Sequence, residues 1–230
     1  AAKAAGVTVC NVRNYSSESV AQHAFMMLLA LIRRLPDSMC DIAAGAWQQS
    51  PQFVHFNAPM HDLGGKTLAI FGRGNIGRTL AGYAQAFGMK VIWGEHKHAA
   101  AVREGYTPFQ VALQQADAVS LHCPLNDASH HLINAETLAL CERTPLILNM
   151  ARGPVADADA VVEALNSGKI LGYASDVFAE EPPPADEPLL SLRQHPRVIY
   201  TPHNAWASVG AQRELWRILC AQVAAFIAGK

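Results

Sequence analysis

Three polar residues stand where short apolar runs end: Arg152 directly after LILNMA, Glu181 just beyond DVFA, and His203 after VIYTP. Each side chain suits one part of carbonyl chemistry. A planar guanidinium can hold a carboxylate with two parallel hydrogen bonds while polarising a neighbouring carbonyl. Imidazole exchanges a proton near neutral pH, and a carboxylate beside it stabilises the imidazolium. Taken singly, each residue also has a plainer reading: Arg152 as a strand-end ion pair, Glu181 as a loop carboxylate, His203 as a turn residue. A fourth signal is FGRGNIG, which holds GxGxxG as Gly72, Gly74 and Gly77. Such glycines serve a tight turn, backbone approach to a pyrophosphate and close helix packing, with the helix N-terminus facing the phosphates. Glu95 ends the next apolar run, near the roughly 20-residue spacing of an acid that binds the adenosine ribose hydroxyls. A carboxylate there repels a 2′-phosphate and so favours NAD over NADP, a preference that His96, Lys97 and His98 soften.

Chemistry of this kind needs a scaffold that lines up strand ends. The sequence alternates short β-rich runs with helical patterns separated by Gly, Pro, Asn or Asp. The strand candidates are residues 67–71, 90–94, 118–123, 146–151, 170–178 and 198–203, all continuously apolar rather than alternating, as a sheet covered on both faces requires. Helices are expected from Asn75 to Phe87 and over DADAVVEALNSG, with Asp157 or Asp159 as the cap and Gly168 as the left-handed stop. The fold class that follows is α/β, a doubly wound parallel sheet of about six strands. Ser16 to Leu35 reads as one long helix, apolar on most faces, either lying between two bodies or serving as an ordinary core helix. GVTVCNV before it reads as a strand, and a lone strand leaves its backbone groups unsatisfied, which implies pairing partners upstream. The stretch from Glu180 to Leu190 reads as a stiff proline-rich surface loop.

Composition narrows the classes. The 230 residues are 50% hydrophobic and 16% charged, with 18 Lys+Arg against 19 Asp+Glu. Neither disorder nor nucleic-acid binding fits that balance. The longest apolar run, Ala24 to Ile32, is nine residues, against about 20 for a membrane span, so no membrane association is expected. Five scattered cysteines without a CxxC pair suit reduced thiols in a cytoplasmic protein.

Taken together, these motifs resemble those of the NAD-dependent D-2-hydroxyacid dehydrogenases over essentially the whole chain, from AAKAAGVTVCNV and NYSSESVAQH through HDLGGKTLAIFGRGNIGRTL, SLHCPLNDASHHLINAETL and NMARGPVADADAVVEALNSGKILGYASDVFAEEP to TPHNAWAS. The resemblance implies a Rossmann-type NAD domain over residues 16–206, including the helix 16–35. Residues 1–15 and a C-terminal helix within 207–230 would then be remnants of a second, flavodoxin-like substrate domain. It further implies that Arg152 binds substrate, Glu181 partners the histidine and His203 is the acid/base, with hydride passing directly between nicotinamide C4 and a small 2-oxo or 2-hydroxy acid. Beyond Gly72, Gly74, Gly77 and Glu95, it suggests cofactor contacts at Asn75, Ile76, Cys123, Pro124, Ser129, Met150, Ala151 and Asp176.

Members of the family run to about a hundred more residues at the N-terminus, including the loop that grips the substrate carboxylate, so this sequence is expected to be a fragment or part of a longer protein; it also carries Gln22 where glutamate is usual. AWQQSPQF, HDLGGKTL and TPHNAWAS together resemble glycerate dehydrogenases, also called hydroxypyruvate reductases; hydroxypyruvate or glyoxylate is the expected substrate. Trp206 either walls the pocket or packs in the core. A rival reading is a non-catalytic NAD-sensing module of the corepressor type. His130 and His131 invite a metal reading, but adjacent loop residues seldom point the same way and hydride transfer needs no metal; none is expected. His122 is expected to be a structural hydrogen bonder. The resemblance suggests a homodimer, with Pro36 to Asp62 contributing most.

Overall fold

Along TLAIF, Leu68 and Ile70 pack to one side of the strand while Ala69 and Phe71 pack to the other, and all four are buried. That two-residue period with both faces apolar is what a sheet sandwiched between helices demands. In the computed structural model, which describes residues 2–56 and 58–229, six strands meet this demand. They are β1 (Thr67–Phe71), β2 (Lys90–Trp93), β3 (Ala118–Leu121), β4 (Leu146–Asn149), β5 (Gly172–Ser175) and β6 (Val198–Tyr200). The sheet order is β2-β1-β3-β4-β5-β6, with every pair parallel. The doubly wound α/β class expected from the sequence is therefore the observed one.

Seven α-helices occur among the described residues: α1 (Ser17–Ile32), α2 (Leu35–Ala43), α3 (Asn75–Ala86), α4 (Phe109–Gln115), α5 (Ala135–Ala139), α6 (Ala158–Asn166) and α7 (Val209–Ile227). On one face α1 and α3 bury Ala24, Met27, Leu28 and Leu80 against Leu68, Ile70, Leu146 and Leu148. On the other, α4, α5 and α6 bury Leu113, Leu138, Val161 and Leu165 against Phe71, Val119, Ile147 and Tyr173.

The register matters most for function. Phe71 pairs with Leu121, Leu121 with Asn149, Asn149 with Ser175, and Ser175 with Tyr200. The next residue of each strand therefore falls in one row: Gly72, His122, Met150, Asp176 and Thr201. Arg152 and His203 each lie two residues beyond that row, so both emerge at the same edge.

Several expectations need correction. The long helix expected from Ser16 to Leu35 is observed as α1 but ends at Ile32, because Arg34 adopts a left-handed conformation (φ 57°), and Leu35 and Pro36 open α2. GVTVCNV forms no strand; Val7 and Val9 are exposed, and nothing among the described residues pairs with them. The fifth strand covers only the middle of its predicted span, since Asp176 turns away from the sheet to bind a loop. Within the proline-rich stretch, Pro188–Leu192 tightens into a 3-10 helix. Ala1, Asn57 and Lys230, which fall within the expected substrate-domain and dimer segments, lie outside the described residues.

Candidate active site

The chain runs from β1 to β2 on one side of β1, then crosses to β3 on the other side. Such a reversal opens a crevice beyond the strand ends, where ligands of doubly wound sheets bind. A cavity of about 260 Å³ sits there, and Gly72, Gly74, Glu95, Cys123, Pro124 and Ser129 all line it. The three loop glycines have different reasons to be glycine. Gly72 has φ +115°, and a Cβ on it would lie 2.5 Å from the His122 carbonyl carbon. One on Gly77 would lie 2.2 Å from the Gly72 oxygen. A Cβ on Gly74 would meet nothing within 4 Å, so the protein itself does not require glycine there, whereas a pyrophosphate approaching the backbone would. Asn75, Ile76 and Gly77 do not line the cavity; they form the first turn of α3, which begins directly after the lining residues Gly72 to Gly74 and leaves its first N–H groups without helix partners. Nδ1 of His122 is buried without a partner at the cavity wall, while Nε2 meets Ser120 Oγ at 2.8 Å. Burial pushes this imidazole down to about 4, so it is a neutral hydrogen bonder. The open glycine, the helix turn and this orphan nitrogen together fit a dinucleotide.

Glu95 is 1% exposed. Its Oε1 accepts from the His96 N–H at 2.8 Å and Arg103 Nη2 at 2.6 Å; its Oε2 accepts from the Arg103 N–H at 3.0 Å and Arg103 Nε at 2.8 Å. The Arg103 side chain foremost, opposed by burial and aided by the two backbone N–H groups, lowers this carboxyl to about 2. Ser129 Oγ donates to the Pro124 carbonyl at 2.6 Å and holds its loop closed. Met150 and Ala151 are buried at the end of β4.

Farther along the edge, Asp176 is 3% exposed. It accepts from Thr201 Oγ1 at 2.5 Å and from the N–H groups of Asn204 at 3.0 Å and Ala205 at 2.9 Å. These three bonds hold the loop in which His203 takes a left-handed conformation (φ 50°). His203 Nδ1 donates to Glu181 Oε2 at 2.6 Å, which leaves Nε2 for another partner. Burial raises the Glu181 carboxyl, but hydrogen bonds from His203 and the Phe178 N–H and the charges of His203 and Arg152 outweigh it and hold it below the usual carboxylate range. Arg152 is thus close enough for its charge to act at Glu181. Gly153 permits this: a Cβ there would sit 2.0 Å from the Phe178 carbonyl carbon, so only glycine lets the Arg152 turn lie against the segment leading to Glu181. A second cavity of about 560 Å³ borders Glu181, His203, Tyr200 and Arg193.

The remaining candidates resolve more simply. Trp206 packs edge-on to Tyr15 at 6.1 Å between ring centres and joins the core under α1. The rings of His130 and His131 do stack, 4.0 Å apart, against expectation, because His131 adopts φ 48°. No cluster of three or more His, Cys, Asp or Glu able to hold a metal occurs among the described residues. Sequence reading missed Arg73, Arg103 and Tyr106 on the first cavity; the one signal for them was two arginines and a tyrosine in sequence segments flanking the glycine loop and Glu95.

A parallel sheet with a glycine loop at its reversal point and an acid–base pair at the same edge defines a dinucleotide-dependent oxidoreductase domain. Residues 25–205 match the NAD-binding domain of D-isomer specific 2-hydroxyacid dehydrogenases, and the chain belongs to this family. A Haemophilus influenzae protein named for 2-hydroxyacid dehydrogenase activity is 44% identical over 212 residues, covering 92% of this chain and 67% of that protein. The glycerate dehydrogenase of Methylorubrum extorquens is 38% identical over 230 residues, covering 100% of this chain and 72% of that one. D-Lactate dehydrogenase of Aquifex aeolicus, solved with NAD and lactic acid, superposes with a TM-score of 0.86 at 31% identity, covering 99% of this chain and 72% of that chain. NAD is the cofactor of the domain, and the substrates of the family are small 2-hydroxy and 2-oxo acids. No helix among the described residues is long and apolar enough to cross a membrane.

Proposed function

We propose that the protein reduces hydroxypyruvate or glyoxylate, with D-glycerate or glycolate as the product. The observation that carries the catalytic reading is the 2.6 Å contact between His203 and Glu181 at the sheet edge, with the charge of Arg152 felt at the same carboxylate. The similarity to a glycerate dehydrogenase along the full chain supports the choice of substrate.

In this reading Arg152 holds the substrate carboxylate with two parallel N–H donors and leans on the adjacent carbonyl. Bound NADH supplies the hydride, from nicotinamide C4, to the carbonyl carbon. His203 gives the proton on Nε2 to the carbonyl oxygen, and Glu181 stabilises the imidazolium beforehand and keeps the ring oriented through Nδ1. Gly72, Gly74, Asn75, Ile76 and Gly77 would hold the pyrophosphate, and Glu95 would act at the adenosine end through Arg103. Cys123, Pro124 and Ser129 would contact the cofactor from the first cavity, and Met150, Ala151 and Asp176 would contact it from the ends of β4 and β5.

The segments 1–15 and 207–230 belong in this reading to a substrate domain. Gln222 of α7 donates to the Asn11 carbonyl at 3.0 Å, which supports treating the two as one unit. The protein works as a cytoplasmic homodimer, a reading supported by five free cysteines and by the apolar residues exposed between Pro36 and Asp62.

The test is NADH oxidation by the longest natural gene product with hydroxypyruvate, glyoxylate, pyruvate and 2-oxoglutarate, alongside His203→Asn. Hydroxypyruvate or glyoxylate should turn over fastest, and the variant should lose about 10²- to 10⁴-fold in kcat while still binding NADH. Faster turnover of pyruvate overturns the substrate assignment. Tight NADH binding with no turnover of any acid would replace the enzyme reading by a cofactor-sensing one.

A further inference from the structure

The acid at the end of β2 is not free to meet a ribose. Both Glu95 oxygens are consumed, by two backbone N–H groups and by the Arg103 fork, and the carboxylate is almost wholly buried. A carboxylate has about four acceptor positions, and these bonds fill them. Its negative charge is also matched at hydrogen-bond distance by Arg103.

What the cavity offers in its place is cationic. The Arg103 guanidinium lies 3.9 Å from the centre of the Tyr106 ring. Arg73, the residue between the first two loop glycines, lies 5.4 Å from the same ring and 5.3 Å from that of Trp93. Guanidinium groups stacked on aromatic faces are held in place; Arg103 turns its Nε and Nη2 toward Glu95 and keeps Nη1 for a ligand. The chain makes room for this arrangement at Gly105, where a Cβ would come within 3.0 Å of Arg73 Nη1 and where φ is +73°. Arg73, Glu95 and Arg103 line the cavity with a net charge of plus one. A ribose with a free 2′-hydroxyl loses its expected acceptor here, whereas a 2′-phosphate gains the Arg73 guanidinium and Nη1 of Arg103 as donors to its oxygens.

We propose that the adenosine end of this site accepts a 2′-phosphate gripped by Arg73 and Arg103, so that the chain binds NADP(H) at least as tightly as NAD(H). The inference rests on the dinucleotide reading of this cavity and needs no substrate assignment, so a wrong choice of 2-oxo acid leaves it untouched.

Binding is the readout. NADPH and NADH are titrated separately against the unmodified protein by coenzyme fluorescence, and 2′,5′-ADP and 5′-AMP are compared as competitors. NADPH should bind as tightly as NADH or more so, and 2′,5′-ADP should displace it at lower concentration than 5′-AMP. Arg103→Ala releases the Glu95 carboxylate toward the ligand and should weaken NADPH by about tenfold or more while changing NADH by less than about threefold. Arg73→Ala, which leaves the Glu95 bonds intact, should also weaken NADPH selectively and guards against a misfolded Arg103 variant. The proposal is overturned if NADH binds more tightly than NADPH, if 5′-AMP is the better competitor, or if Arg73→Ala weakens both coenzymes equally.

Discussion

Glu95 shows how one side chain couples stability to the cofactor site. Arg103 holds its carboxyl near 2, against 4.5 in the unfolded chain. Because folding lowers this pKa, the ionised carboxylate stabilises the native state fully above pH 4.5, and that contribution is lost as the pH falls from 4.5 toward 2. Glu95→Gln is expected to lower Tm at pH 7, and the gap to the unmodified protein should narrow steadily below pH 4.5 in a calorimetric series. A gap independent of pH would mean that packing, not charge, holds the residue. Sequence spacing finds Glu95 but not its partner. Arg103 reaches back across eight positions from a stretch, HKHAAAVREGY, that has no periodicity to announce a fold. The pairing exists only once the Gly94–Thr107 bridge has closed that loop.

At the scale of elements, positioning comes from turns that tolerate little change. Gly153 lets the turn after β4 touch the backbone after β5, and that contact brings Arg152 to the Glu181 side of the edge. Gly153→Ala must push the two segments apart, since the clash is with backbone. Steady-state kinetics should show kcat/KM for the 2-oxo acid down by about 10²-fold, the cost of a misplacement near 1 Å, with NADH affinity little altered. The order of strands and helices is legible in the sequence because each buried strand is a short apolar run closed by Gly, Pro, Asn or Asp. The ends of these elements are less so. Pro36 announces a break after the first long helix, but the helix already ends at Ile32, and the left-handed backbone of Arg34 that shortens it has no sequence signal. GVTVCNV carries a strand's residues without a strand's neighbours; β-propensity alone does not make a sheet.

For the whole molecule, the segment after α1 is the feature that asks for explanation. Phe53 is 90% and Phe56 73% exposed, with Met39, Ile42 and Trp47 also in water. Apolar groups gathered like this on a single chain mark an association surface more often than a free one. Sedimentation equilibrium is expected to give a dimer, and the double substitution Trp47→Ser with Phe53→Ser should shift it to monomer while leaving the circular dichroism of the sheet unchanged. A monomer at micromolar concentration would assign this surface to another partner.

The bonds from Asp176 to the loop of His203 carry a consequence for how such a protein can change. In the proposed reading the acid, His203, is moored through Asp176 to the end of the fifth strand, within the scaffold. Appetite for a different acid can therefore drift, by changes elsewhere around the crevice, without disturbing the proton's address. One scaffold can thus keep its reaction while exchanging its customers.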